Sequence, residues 1–178
     1  NGLHSRIALK EAGFNVAKLF APEHGFDGQG EDGAFMDHQH DAATGIRIVS
    51  LYSKQLAPTA ADLADIDLML IDLPDVGARF YTYLWKMTHV LESCAEQGLP
   101  VLLLDRPNPM AQDLALAEGP ILDPLCRSFI GRYPMPVTHH CTFGELAKYF
   151  KSLYFPNLQL QVLSMTNWCR KLNTGYTF

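Results

Sequence analysis

Short apolar runs in this chain repeatedly end in polar, turn-forming residues. Val16 to Ala21 leads into Pro22-Glu23-His24-Gly25, and Ile46 to Leu51 into Tyr52. Asp67 to Leu73 leads into Pro74-Asp75-Val76-Gly77-Ala78-Arg79, and Val101 to Leu104 into Asp105-Arg106-Pro107-Asn108-Pro109. Runs of this length bounded by Gly and Pro read as buried strands. Helical spacing lies between them. Leu3 and Ile7 share a face ahead of Gly13, and Phe80 to Gln97 carries Leu84, Met87, Val90 and Leu91 before the stop Gly98-Leu99-Pro100. Thr59-Ala60-Ala61-Asp62 is a variant capping box, and Thr142-Phe143-Gly144-Glu145 is a full one that opens a helix to about Leu153. Leu158 to Leu163 alternates Leu and Gln like a strand with one wet face, whereas 26–45 is polar, Gly-rich and reads as a long loop. Alternating strands and helices predict an α/β fold with a mostly parallel, doubly wound sheet and helices on both faces. In such sheets ligands bind beyond the carboxyl ends of the strands, which is where the polar segments fall.

Composition narrows the function. A chain of 178 residues, 48% hydrophobic and 19% charged, is the size of one globular domain with a substantial core. Its net charge of −5, with no basic cluster, argues against a nucleic-acid surface and favours a small or carbohydrate ligand. No apolar run approaches the roughly 20 residues that span a bilayer, and Asn1-Gly2-Leu3-His4-Ser5 lacks the regions of a signal peptide. Cys94, Cys126, Cys141 and Cys169 show no CxxC spacing, so buried single thiols are expected, with disulfides open to an exported protein. His38, His40, Asp37 and Asp41 are metal ligands by type, but without an HxxxH spacing they read as solvated loop residues, and no metal is expected.

Taken together, Leu19-Phe20-Ala21-Pro22-Glu23-His24-Gly25-Phe26, Ser50-Leu51-Tyr52, Asp72 to Tyr83, Leu104-Asp105-Arg106-Pro107-Asn108-Pro109 and Thr142-Phe143-Gly144-Glu145-Leu146-Ala147 resemble the NamZ-type exo-β-N-acetylmuramidases, formerly a domain of unknown function. The motifs follow family order from Leu19 to about Gly175. The resemblance implies a Rossmann-like catalytic domain, spanning 1–178 here, that acts with a second, smaller domain. It also implies release of N-acetylmuramic acid from the non-reducing ends of peptidoglycan fragments, in the periplasm or outside the cell, without a cofactor. Because family members are about twice this length, the chain is expected to lack a first strand and the second domain. Apolar surface left bare in this way would favour self-association. The sequence departs from the family pattern at Ser53 and His140, where glycine is usual, and at Pro74, where glutamine is usual.

Cleaving a glycosidic bond needs an acid for the leaving oxygen, and a second carboxylate, a water or the substrate's acetamido group to attack the anomeric carbon. Glu23, at a strand end beside His24 and Gly25, is the leading acid/base candidate, against a Glu that only caps its turn. The family motif favours the catalytic reading of Glu23, and His24 would hydrogen-bond substrate or tune Glu23, with a satisfied structural histidine beside the turn as the alternative. Asp75 is the candidate second carboxylate or acetamido-orienting group, with an Asx turn ahead of Gly77 as the alternative. Arg79 and Arg106 suit the lactyl carboxylate of muramic acid, since guanidinium binds carboxylate bidentately. The alternatives are that Arg79 caps carbonyls and that Asp105 and Arg106 form an ion pair. Tyr81 and Tyr83, two residues apart, cannot both face the core, so one is expected to line the cleft and stack on sugar. Asn108, held between two prolines, would present its amide to a hydroxyl or make an ordinary turn. His139 matches the family histidine ahead of the second capping box, and Cys141 as a nucleophile is a remote alternative. A nucleotide-binding domain is disfavoured because no G-x-G-x-x-G or P-loop follows any strand, which leaves a non-catalytic saccharide-binding module as the rival.

Overall fold

The computed structural model describes residues 3–22, 39–52, 55–111 and 113–170. It divides into two compact units, Asn1–Ile66 and Asp67–Phe178. In the first unit, α1 (Ser5–Glu11) closes at Gly13, whose φ of 86° suits a residue without a side chain. Then come β1 (Leu19–Ala21), β2 (Gln39–His40), β3 (Arg47–Ser50) and α2 (Ala60–Leu63). β1 runs parallel to β3, and β2 pairs antiparallel on the other side of β3. The capping box of Thr59 and Asp62 forms as the sequence predicts. The strand expected from Val16 begins only at Leu19, and the expected loop contains β2. Two residues carry too little periodicity to betray a strand; pairing with β3 defines it.

In the second unit, β4 (Met69–Ile71), β5 (Val101–Leu104) and β6 (Leu160–Leu163) form a wholly parallel sheet in the order β4-β5-β6. The long helix α3 (Thr82–Gln97) connects the first two strands, and α4 (Phe143–Tyr154) precedes the third. Gly98 takes a left-handed C-cap (φ 65°) after α3, and α4 opens on the reciprocal capping box of Thr142 and Glu145. The α/β, mostly parallel reading stands, with the strands shared between two three-stranded sheets.

The second unit's core is built where helical periodicity meets strand alternation. Leu84, Trp85, Met87 and Leu91 of α3, Val101 and Leu103 of β5, and Phe143 and Phe150 of α4 are all almost fully buried. Trp85 and Tyr133 both lie against Phe150, with centroids 6.0 and 5.5 Å away, and Tyr133 stacks on Tyr154 at 4.0 Å. Arg132 lies 5.0 Å over the Tyr133 ring and donates to Thr88 Oγ1 (2.9 Å) and Glu92 Oε2 (2.7 Å).

Half-buried His89 lies on α3, its pKa pushed down to about 4 by burial, then by Arg132 and Lys86. Between its ordinary value near 6.5 and that value, the unfolded chain binds more protons than the folded one. Stability present above the upper value therefore falls as pH descends toward the lower. Thermal unfolding should show a larger drop in Tm over this window for the wild type than for His89→Gln. Equal drops would contradict the assignment.

Candidate active site

The site of the second unit is assembled by loops at the carboxyl edge of β4-β5-β6. Asp75 follows β4, Asp105 to Asn108 follow β5, and 139–144 leads into α4. Backbone pairing draws the first and third together: Arg79 N–H donates to Val137 O (2.7 Å), and His139 N–H to Gly77 O (3.2 Å). Gly77 is required twice. Its φ is 84°, and a β-carbon there would come within 2.7 Å of Asn108 Oδ1.

This zipper sets the Asp75 carboxylate against the His139 imidazole, with Oδ2 and Nε2 3.3 Å apart and side-chain exposures of 0% and 2%. His139 Nδ1 accepts from Cys141 N–H (3.3 Å), which puts the ring proton on Nε2, facing Asp75. The contact is close but not aligned as a hydrogen bond. Among the described residues neither Asp75 oxygen and not His139 Nε2 has a hydrogen-bond partner, although all are buried. The Asx turn weighed for Asp75 is therefore not what its oxygens do. A buried acceptor without a donor costs about 1–3 kcal/mol, more when charged. Folding alone gives no reason to retain two on one side chain.

The other candidates converge on 139–144 in different roles. Asp105 Oδ1 accepts from Gly144 N–H (2.7 Å) and Oδ2 from Thr142 Oγ1 (3.1 Å), placing a carboxylate at the positive end of α4. A β-carbon on Gly144 would meet Asp105 Cγ at 2.8 Å, so glycine permits the approach. Asn108, fully buried, donates to Cys141 O (2.5 Å) and accepts from Met110 N–H (2.7 Å), the turn geometry weighed for it. Arg106, half-exposed, pairs through Nε with Asp72 Oδ1 at 2.5 Å rather than with Asp105. Arg79 donates through Nη1 to Pro120 O and Met135 O, both at 2.7 Å, the carbonyl-capping role weighed for it. Tyr83 is buried and Tyr81 half-buried, with ring centroids 4.9 Å apart. Glu23 and His24 lie outside the described residues, as do Asp37 and His38.

Three features escaped the sequence reading. Asp72 holds Arg106, and Phe80 beside Arg79 is 60% exposed, an aromatic face in the loop that carries Asp75. His140 has φ 51°, the left-handed region that glycine enters freely, which accounts for the glycine the resemblance leads one to expect there. Asp41 is a structural anchor: burial, which raises its pKa, is outweighed by hydrogen bonds from Thr44 and Arg6 that lower it. All four cysteines are free, with Cys94 buried and Cys126 and Cys169 exposed. Burial, reinforced by Glu145 and Asp75, pushes the Cys141 thiol up to about 11 against the pull of Arg170. It is a thiol at neutral pH, and a poor nucleophile.

The family described as exo-β-N-acetylmuramidase NamZ, N-terminal, matches residues 1–177. The chain belongs to this NamZ family. It is 39% identical over 167 residues to peptidoglycan β-N-acetylmuramidase NamZ of Bacillus subtilis strain 168, covering 94% of this chain and 40% of the relative. Two crystal structures of DUF1343-family proteins from Bacteroides fragilis superpose with TM-scores of 0.84 and 0.81 at 33% and 34% identity, each over 96% of this chain and 43% and 45% of the other. The chain thus spans under half the length of these relatives. Among the described residues no helix is long and apolar enough to cross a membrane.

Proposed function

We propose that this chain is the N-terminal, catalytic part of a NamZ exo-β-N-acetylmuramidase that releases N-acetylmuramic acid from the non-reducing ends of peptidoglycan fragments. The observation that carries the reading is the buried Asp75–His139 pair, with two acceptor oxygens lacking donors among the described residues, at the carboxyl edge of a parallel sheet in a NamZ-family chain. Asp75 either accepts the acetamido N–H, steering the carbonyl oxygen toward the anomeric carbon, or acts as the second carboxylate on an incoming water. His139, with its proton on Nε2, faces that carboxylate at 3.3 Å.

Glu23 supplies the leaving-group proton in this reading, with His24 beside it. Arg106, half-exposed while paired with Asp72, is the arginine proposed for the lactyl carboxylate, and Arg79 is engaged by two backbone carbonyls. Tyr81 and Phe80 offer aromatic faces for a sugar ring, while Asp105 and Asn108 shape the loop that holds His139. In this reading the protein acts where peptidoglycan fragments occur, in the periplasm or outside the cell, and a further domain or a second copy would cover apolar surface of this chain. The test is selectivity in the full-length protein. A disaccharide with muramic acid at its non-reducing end should be hydrolysed, and its counterpart with N-acetylglucosamine there spared. Equal treatment of the two would remove the lactyl group from the recognition model.

A further inference from the structure

His140 is a second buried imidazole next in the chain to His139, and among the described residues no hydrogen bond accounts for its Nδ1. It is 9% exposed, its Nδ1 is buried with no hydrogen-bond partner among the described residues, and its backbone sits at φ 51°. Each of these works against keeping an imidazole here: burial strips water from a polar nitrogen, and the left-handed backbone penalises any β-carbon. The conformation is over-determined by its surroundings. His140 O accepts from Arg170 Nη1 (2.7 Å), Cys141 O from Asn108 Nδ2 (2.5 Å), His139 N–H donates to Gly77 O (3.2 Å) and Phe143 N–H to Arg106 O (3.0 Å). A strained residue clamped on both sides by a rigid frame, beside an under-satisfied pair, is the pattern of a group held ready for a ligand.

We propose that His140 is a substrate-binding residue, its Nδ1 making a hydrogen bond to a hydroxyl or acetamido group of the amino sugar held at Asp75. The inference rests on the muramidase reading above and adds a specificity contact to it. It requires no proton transfer by His140, so the effect belongs in binding rather than in the chemical step.

The experiment compares the full-length wild type with His140→Gly and His140→Asn, reading Tm, and kcat and KM on a muramic-acid-terminated disaccharide. Glycine relieves the backbone and removes the ring, whereas asparagine tolerates the left-handed region and restores a polar atom. His140→Gly should keep or raise Tm and raise KM about tenfold with kcat little changed, as expected for one lost hydrogen bond. His140→Asn should recover most of the loss. Should glycine lower Tm as well, recovery of KM by asparagine still supports the contact, and failure to recover overturns it. A His140→Gly variant with wild-type KM overturns it whatever its Tm. If the wild type neither binds nor cleaves the disaccharide, the muramidase reading fails and the contact falls with it. If the wild type cleaves and glycine matches its KM, only the His140 assignment falls.

Discussion

Replacing Glu23 with glutamine in the full-length protein should lower turnover by roughly 10²- to 10⁴-fold and leave substrate binding nearly intact. The leaving sugar oxygen must gain a proton as the glycosidic bond breaks, and an amide of the same shape cannot supply it. Glu23 is the residue we propose for this role because an apolar run leads to it in the sequence: β1 ends at Ala21, and Pro22-Glu23-His24-Gly25 follows directly. Uniform binding contacts survive the change, so the loss should fall on kcat, with KM moving little. Unchanged turnover would take the proton-donor role from Glu23 and pass it to Asp75.

Asp75→Asn should lower turnover by about 10²-fold or more while leaving thermal stability equal to or above that of the wild type. The two readouts together make the test sharp. A structural carboxylate repays its burial with hydrogen bonds, and its loss destabilises, as removing Asp105 from the Gly144 and Thr142 donors should. Among the described residues Asp75 has no such partners, and His139 Nε2, 3.3 Å from its Oδ2, is not aligned as a hydrogen bond. Asparagine removes the cost of an under-satisfied buried carboxylate, which offsets the loss of its contact with His139. The chemistry suffers, because an amide is a weaker acceptor for an acetamido N–H and no base for water. A fall in Tm with activity retained would make Asp75 a structural residue.

The elements with strong local signals were legible in the sequence. Val101–Leu104 is the strand its apolar run announces, α3 starts two residues inside the expected helix and stops at Gly98, and both capping boxes form. Those signals are local, since periodicity and caps depend on neighbours within a turn or two. What the sequence could not provide were contacts between distant segments. Arg106 lies next to Asp105 in the chain yet pairs with Asp72, 34 positions earlier, because Asp105 is turned into the end of α4. Asn108 carries the residue type of a ligand-binding amide but spends it on Cys141 O, 33 positions away. Asp75 and His139 were each recognisable from the family motifs. Their meeting depends on the backbone zipper between 77–79 and 137–139, which no spacing rule predicts. The strained φ of His140 is likewise a product of that frame, visible beforehand only as a departure from an expected glycine.

NamZ chemistry at the carboxyl edge that carries Asp75 and His139 requires that the full-length protein release the terminal sugar and that Asp75 be needed for it. The most direct measurement follows a muramic-acid-terminated disaccharide by NMR with the full-length wild-type protein. Free N-acetylmuramic acid should appear with time, and its appearance should be suppressed in Asp75→Asn. Saturable binding of the disaccharide with no release of the sugar would contradict the account and leave a saccharide-binding module in its place.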